Sequence, residues 1–240
     1  MIFRLRDHGV ALVLLDIEGT TTPISFVHEV LFPYARARMP AYLRARASED
    51  DLRDALATLR VEWQDDASRG EQPPDWALAD IPAAARYLEW LMDRDRKSPS
   101  LKRLQGEIWK AGFEVGELRS ELFADVAAAF SRWKASGVDI AIYSSGSVLA
   151  QKLIFADLLP EISAFFDTAV GAKRSVDSYR RIAASVHRAA ETILFVSDVP
   201  EELNAALDAG YQILLAVRPG NRRVEGPETL EAISSFDDIV

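Results

Sequence analysis

The stretch Val10–Pro23, VALVLLDIEGTTTP, decides how the rest of the chain is read. Its first six residues are an unbroken run of Val, Ala and Leu, the composition of a strand buried on both faces of a parallel sheet. Asp16 therefore stands where the strand leaves the core, followed by a second carboxylate at Glu18, then Gly19 and three threonines. In open α/β sheets ligands bind in the crevice beyond the carboxyl ends of the strands, so a carboxylate there is well placed to meet one. Asp and Gly after a strand are also ordinary turn residues, and the motif by itself leaves both readings open.

Working outward, further apolar runs begin at Val138 (VDIAIYSSG), Thr192 (TILFVSD) and Tyr211 (YQILLAV), with a weaker one at Phe165 (FFDTAVG). Between them lie helical patterns, among them SVLAQKLIFADLL, SYRRIAASVHRA and PEELNAALDAG, the last ending in a glycine of the kind that closes helices. Strand alternating with helix implies an α/β fold, a doubly wound parallel sheet. From Ser25 to about Lys134 the pattern is helical throughout, as in VHEVLFPYARARMPAYLRA, DDLRDALATLRVEWQDD and SLKRLQGEIWKAGF. That is far more chain than a βα crossover needs. The expectation is a catalytic core over residues 1–22 and 130–240, with a helical cap over residues 23–129 inserted after the first strand. The Trp and Leu positions of the insert read as the core of a helix bundle.

The chain has 240 residues, 49% of them hydrophobic, enough for a substantial core. Its 28 basic and 37 acidic residues give a formal charge of -9, which offers no broad attraction to nucleic acid or an anionic membrane. An anionic substrate would need a local basic group. Cysteine is absent, which excludes disulfides, thiolate zinc sites and cysteine nucleophiles. The first residues lack a signal-peptide pattern and no apolar run has the length of a membrane span, so a cytoplasmic protein is expected. No coiled-coil seam stands out, and a monomer is the default. His8, His28 and His187 belong to no metal-ligand spacing.

A doubly wound sheet gathers the carboxyl ends of its strands however far apart they lie in sequence. After DIAIY come Ser144, Ser145 and Gly146, hydroxyls and backbone N–H groups able to cradle phosphate oxygens; serine is equally a common helix N-cap. After DTAVGA comes Lys173, which either screens the repulsion between a carboxylate and an incoming phosphate or is a solvated loop lysine. After ILFV come Ser197 and Asp198, with Glu201 and Glu202 close behind, and an acidic strand end suits a hard cation such as Mg2+. Each signal is ambiguous alone; the ordered set is far more specific.

That order, an Asp-x-acid-Gly-Thr turn, then Ser, Lys and a closing acid, resembles the haloacid dehalogenase-like superfamily of phosphohydrolases, and the insert stands where one class of that superfamily carries its cap. DIEGTTTPISFVHEVLFPYA, LQGEIWKAGF, IYSSGSVLAQKLIF, SYRRIA and VRPGN, spread over core and insert, look like the enolase-phosphatase family of methionine salvage. The resemblance implies Asp16 as nucleophile, Glu18 as proton donor and acceptor, and Lys173 with the Ser144 hydroxyl neutralising the phosphate, while Ser145 holds the rest of the substrate head. It implies Mg2+ bound by Asp16, the backbone carbonyl of Glu18, and Asp198. The implied substrate is 2,3-diketo-5-methylthiopentyl-1-phosphate, enolised and then dephosphorylated through an aspartyl phosphate to the acireductone 1,2-dihydroxy-3-keto-5-methylthiopentene.

For the enolisation base Glu18 is the economical choice. Glu107 and Lys110 are alternatives, unless they form a solvated helix face, and His28 near the insert's entry reads as a partly exposed structural histidine. The superfamily's usual pair of closing acids is read as reduced to Asp198, which leaves Glu201 and Glu202 without an assigned role. The competing readings are a generic sugar phosphatase or phosphosugar mutase on the same core, a phosphoacceptor domain without turnover, and a metal-free dehalogenase.

Overall fold

The computed structural model describes residues 2–76, 80–94, 96, 98–221 and 230–240. Strand β1, Leu12–Leu15, is buried at every position, as its composition requires. It lies inside a six-stranded sheet with β2 (Asp139–Tyr143), β3 (Ala164–Phe166), β4 (Ile193–Ser197), β5 (Gln212–Ala216) and β6 (Ala232–Ile233), in the order β3-β2-β1-β4-β5-β6. Every pairing is parallel. The weak run at Phe165 is β3, at one edge. The other edge, β6, is two residues long, too short to leave a periodic signal.

Register explains why the strand ends converge. Leu15 is level with Ile142 of β2 and with Val196 of β4. Asp16 therefore stands beside Tyr143 and Ser197, one residue short of Ser144 on one side and of Asp198 on the other. The ladder continues one step past β1, because the Asp16 amide donates to the Val196 carbonyl at 3.0 Å.

Contacts divide the chain into two compact units, one formed by residues up to Val27 and from Ser120 onward, the other by His28–Arg119. In the first, the sheet packs against helices that include α5 (Val126–Ala135), α6 (Val148–Ile154), α7 (Val176–Ser185) and α8 (Pro200–Asp208). An expected boundary at residue 130 would cut through the helix that begins at Val126. Tyr179 of α7 lies at the centre of an aromatic cluster, its ring centroid 5.7 Å from Tyr143, 5.2 Å from Phe195 and 5.6 Å from Tyr211. The buried rings use their hydroxyls on a functional loop: Tyr143 donates to the Gly171 carbonyl at 3.0 Å and Tyr179 to the Lys173 carbonyl at 2.7 Å.

The second unit's regular structure is all helical among its described residues, with α1 (Phe32–Ala45), α2 (Asp50–Ser68), α3 (Ile81–Asp93) and α4 (Pro99–Glu114). The helix expected from Val27 to Ala45 is interrupted. A π-helical segment, Phe26–Leu31, precedes α1, and Pro33, with no N–H to give the preceding turn, stands at the junction. Asp80 and Ser98 cap α3 and α4 by accepting from the amides of Ala83 and Leu101. Tyr87, Leu88, Leu104, Ile108 and Trp109 are buried, as a bundle core demands. No helix among the described residues is long and apolar enough to cross a membrane.

Candidate active site

At the carboxyl end of β1 the structure gathers a lysine and three carboxylates. Lys173 Nζ lies 2.5 Å from Asp16 Oδ1 and 2.6 Å from Glu202 Oε2, and the three side chains are only 9%, 7% and 12% exposed. Burial alone would lower the lysine pKa. The charges of Asp16 and Glu202 outweigh it and hold the ammonium above its ordinary range. Glu202 is pushed up by its own burial and then by the charge of Asp16, with Lys173 opposing. The Asp198 carboxyl is pushed up to about 7, first by burial and then by Asp16.

Glu202, which the sequence singled out without a role, is the second carboxylate against Lys173. It lies in the first turn of α8, four positions after Asp198, and also accepts from the Ser197 hydroxyl at 3.1 Å. The reading of Asp198 as the sole closing acid is thereby corrected. A carboxylate one helical turn beyond a strand-end acid was the available signal, and its neighbour Glu201 is a solvated residue 4.0 Å from Arg174. Lys173 is no solvated loop lysine; the Tyr179 hydroxyl holds its carbonyl, and two carboxylates hold its ammonium.

The acid turn is built around Gly19, whose φ of +68° few side chains tolerate. A Cβ there would collide with Asp198 Oδ2 and come within 2.9 Å of Asn221 Oδ1. Asp198 therefore packs directly against the turn that carries Glu18. Glu18 is half-buried and pairs through its backbone with Thr22. Thr20, Thr21 and Thr22 are fully buried, and the Thr21 hydroxyl bonds the carbonyls of Asp16 and Ile17.

Ser144 is buried beyond β2, where its amide donates to the Phe166 carbonyl and its hydroxyl accepts from the Gly146 amide at 3.1 Å. The helix-capping alternative falls to Ser147, which accepts from the Ala150 amide, leaving Ser144 and Ser145 in the loop before α6. The buried Gln151 secures that loop by donating to the carbonyls of Gly146 and Phe166. Of the remaining candidates, Lys110 is exposed on α4 and 3.8 Å from Glu114, as on a solvated face, while Glu107 is half-buried on the same helix. His28 is exposed and edge-on to Phe32, and His8 stacks on Phe3.

Asp16, Asp198 and Glu202 against one Lys173 leave the site with surplus carboxylate, and Asp198 is raised by its burial first and by the neighbouring carboxylates second. Among the described residues no three His, Cys, Asp or Glu side chains are gathered to hold a metal by themselves. Mg2+ asks for no such cage: one or two carboxylates plus water and substrate phosphate suffice, and these residues fit it.

Comparison with known proteins agrees with this geometry. The profile of the haloacid dehalogenase-like hydrolases matches residues 10–210. Enolase-phosphatase E1 of Synechococcus elongatus is 49% identical over 96% of this chain and 98% of its own, and that of Drosophila mojavensis 46% identical over 97% and 93%. The crystal structure of the UTR4 protein of Saccharomyces cerevisiae superposes with a TM-score of 0.79 at 32% identity, covering 95% of this chain and 99% of that one. With these relatives, and with Asp16 and Asp198 following the adjoining strands β1 and β4 and Lys173 against Asp16, the chain belongs to the haloacid dehalogenase-like hydrolases and, within them, to the enolase-phosphatase family.

Proposed function

We propose that this protein converts 2,3-diketo-5-methylthiopentyl-1-phosphate to the acireductone and phosphate in methionine salvage, by enolisation followed by dephosphorylation through Asp16. The observation that carries the reading is the buried contact of Asp16 with Lys173 at the end of β1. A carboxylate attacks phosphorus once the phosphate is held in line and its charge is offset. Lys173 lies close enough to offset it, and the Ser144 hydroxyl and Ser145 would hold the phosphate and the adjoining substrate head.

Glu18, two residues after the nucleophile, gives a proton to the leaving oxygen and then takes one from the water that hydrolyses the aspartyl phosphate. It is also the economical base for enolisation. Glu202 keeps Lys173 charged and aimed. Asp16, Asp198 and the Glu18 carbonyl would hold Mg2+, which when bound would supply further neutralisation of the phosphate and Lewis-acid polarisation of a substrate carbonyl. The helical unit acts as the cap, and the protein works as a cytoplasmic monomer on this small phosphorylated diketone.

The test follows enol absorbance and phosphate release together from the diketo phosphate, with Mg2+ and then with chelator. An enol signal preceding Mg2+-dependent phosphate release is expected. Release from unrelated sugar phosphates, with no enol from the diketone, would replace this reading with that of a generic sugar phosphatase.

A further inference from the structure

The acid turn Gly19–Thr22 has an unusual hydrogen-bond pattern on its carbonyl side. Its amides point inward: those of Thr20, Thr21 and Thr22 all donate to the Ile17 carbonyl, and that of Gly19 donates to the Thr22 carbonyl. The other three carbonyls are each taken by a donor from elsewhere in the chain. Asn221 Nδ2 donates to Gly19 at 2.9 Å, Arg218 Nε to Thr20 at 3.1 Å and the Phe123 amide to Thr21 at 3.0 Å.

Two of these donors come from one four-residue turn after β5. In Arg218-Pro219-Gly220-Asn221 the Asn221 amide donates to the Arg218 carbonyl at 3.1 Å, and Gly220 has φ +88°. Proline at the second position and a positive-φ glycine at the third are the marks of a type II turn, a rigid one. It presents Arg218 and Asn221 to consecutive carbonyls of the acid turn.

Arg218 is itself fixed. Only 6% exposed, it donates through Nη1 to Asp125 Oδ2 at 2.6 Å and to the Ser234 carbonyl at 3.0 Å, and its guanidinium lies over the rings of Phe123 and Phe236. The same Asp125 oxygen accepts from the Ser235 hydroxyl at 2.9 Å and the Phe236 amide at 2.6 Å. A buried ion pair is often no more stabilising than well-packed apolar residues, so stability alone is a weak reason for this one.

We propose that Arg218 and Asn221 are positioning residues: the turn they share clips the carbonyls of Gly19 and Thr20 and thereby sets where Glu18 stands relative to Asp16. Arg218 touches no reacting atom and acts through the backbone of the acid turn. The inference rests on the role given above to Glu18. A slack clip affects the proton-transfer steps more than substrate binding, and a displacement of about 1 Å at such a site costs up to roughly a hundredfold in rate.

The experiment compares Arg218→Met, the double variant Asp125→Asn/Arg218→Met and the unaltered protein. The single variant strands a buried carboxylate and loses stability. The double variant removes both charges, while the amide oxygen introduced by Asp125→Asn still accepts from Phe236 and Ser235, so its thermal midpoint recovers. The clip predicts that kcat in the double variant stays down by roughly tenfold to a hundredfold with KM little changed, that phosphoenzyme accumulates, and that amides 18–22 exchange hydrogen faster. Recovery of kcat together with stability would show a merely structural pair and overturn the proposal. Should the double variant not fold, Arg218→Lys keeps the charge for Asp125 but cannot reach both acceptors in the same geometry, and the same exchange and kinetic changes are expected of it. Unchanged exchange over residues 18–22 in a folded variant overturns the clip without reference to catalysis, whereas absent phosphatase activity in the unaltered protein overturns the functional reading instead.

Discussion

Replacing Lys173 with methionine, nearly the same length without the charge, tests the electrostatics of the site most severely. The Lys173 ammonium touches both Asp16 and Glu202, all three side chains being at most 12% exposed. Removing one partner of such a buried group leaves uncompensated charge and costs about 3–5 kcal/mol. The cost depends on pH, and its sign follows from the directions of the shifts. In the unaltered protein the ammonium is held above its ordinary range, so its contribution is fully present below the usual lysine value near ~10.4 and is lost only above it. In the variant, Glu202 loses the opposing influence of Lys173 and rises further above its unfolded value.

A carboxyl raised in the folded state takes up its proton more readily there than in the unfolded chain, which relieves the cost at low pH and restores it as pH rises. Asp198, already raised beside it, loses the same opposing influence, so the cost is smaller at pH 5 than at pH 8. Urea denaturation of the metal-free proteins reads this directly. With a slope of about 2–3 kcal/mol per molar, the variant's midpoint falls by roughly 1–2 M at pH 8 and by less at pH 5. Equal midpoints at pH 8, or a larger gap at pH 5 than at pH 8, would refute the reasoning.

Other expectations follow from the same geometry. Gly19→Ala forces an L-residue into φ +68°, at about 1–2 kcal/mol, and drives a methyl toward Asp198. Thermal midpoint and Mg2+ affinity should both fall, and an unaltered affinity would show that Asp198 is not placed by this turn. Asp198→Asn removes a carboxyl whose rise from 3.8 to about 7 costs the metal-free protein up to roughly 4 kcal/mol at alkaline pH and less than about 1 kcal/mol at pH 4. The variant should be more stable than its parent at pH 8 yet inactive, and a loss of stability there would contradict the charge-surplus account. Glu18→Gln should accumulate phosphoenzyme as its hydrolysis slows, measured by acid quench; normal steady-state turnover would remove Glu18 from proton transfer.

Most of the architecture was legible because it rests on local patterns. The apolar runs at Val10, Val138, Thr192 and Tyr211 are buried parallel strands, and buried strands advertise themselves by composition. Asp16, Ser144, Lys173 and Asp198 could be singled out because a doubly wound sheet puts strand ends together by rule, and the structure sets Lys173 against Asp16. Less was visible where geometry depends on particular side chains. Glu202 and Glu201 are adjacent acids in the same helical turn, and only packing tells the one that reaches Lys173 from the one that meets solvent. Arg218 and Asp125 are 93 residues apart, and nothing local marks them as a pair. The break before α1 was present in the sequence as Pro33, yet the apolar spacing on either side carried the helical reading across it.

The central claim is that Asp16 takes the phosphoryl group. Rapid acid quench during turnover of the diketo phosphate, reduction of any acyl phosphate with borohydride and mass analysis of the peptide around residue 16 would test it most directly. The account predicts reduction of Asp16 to the homoserine side chain, enhanced in Glu18→Gln and absent in Asp16→Asn, which should release no phosphate. Phosphate release by Asp16→Asn at the rate of the unaltered protein, or acyl phosphate on another carboxylate, would contradict it.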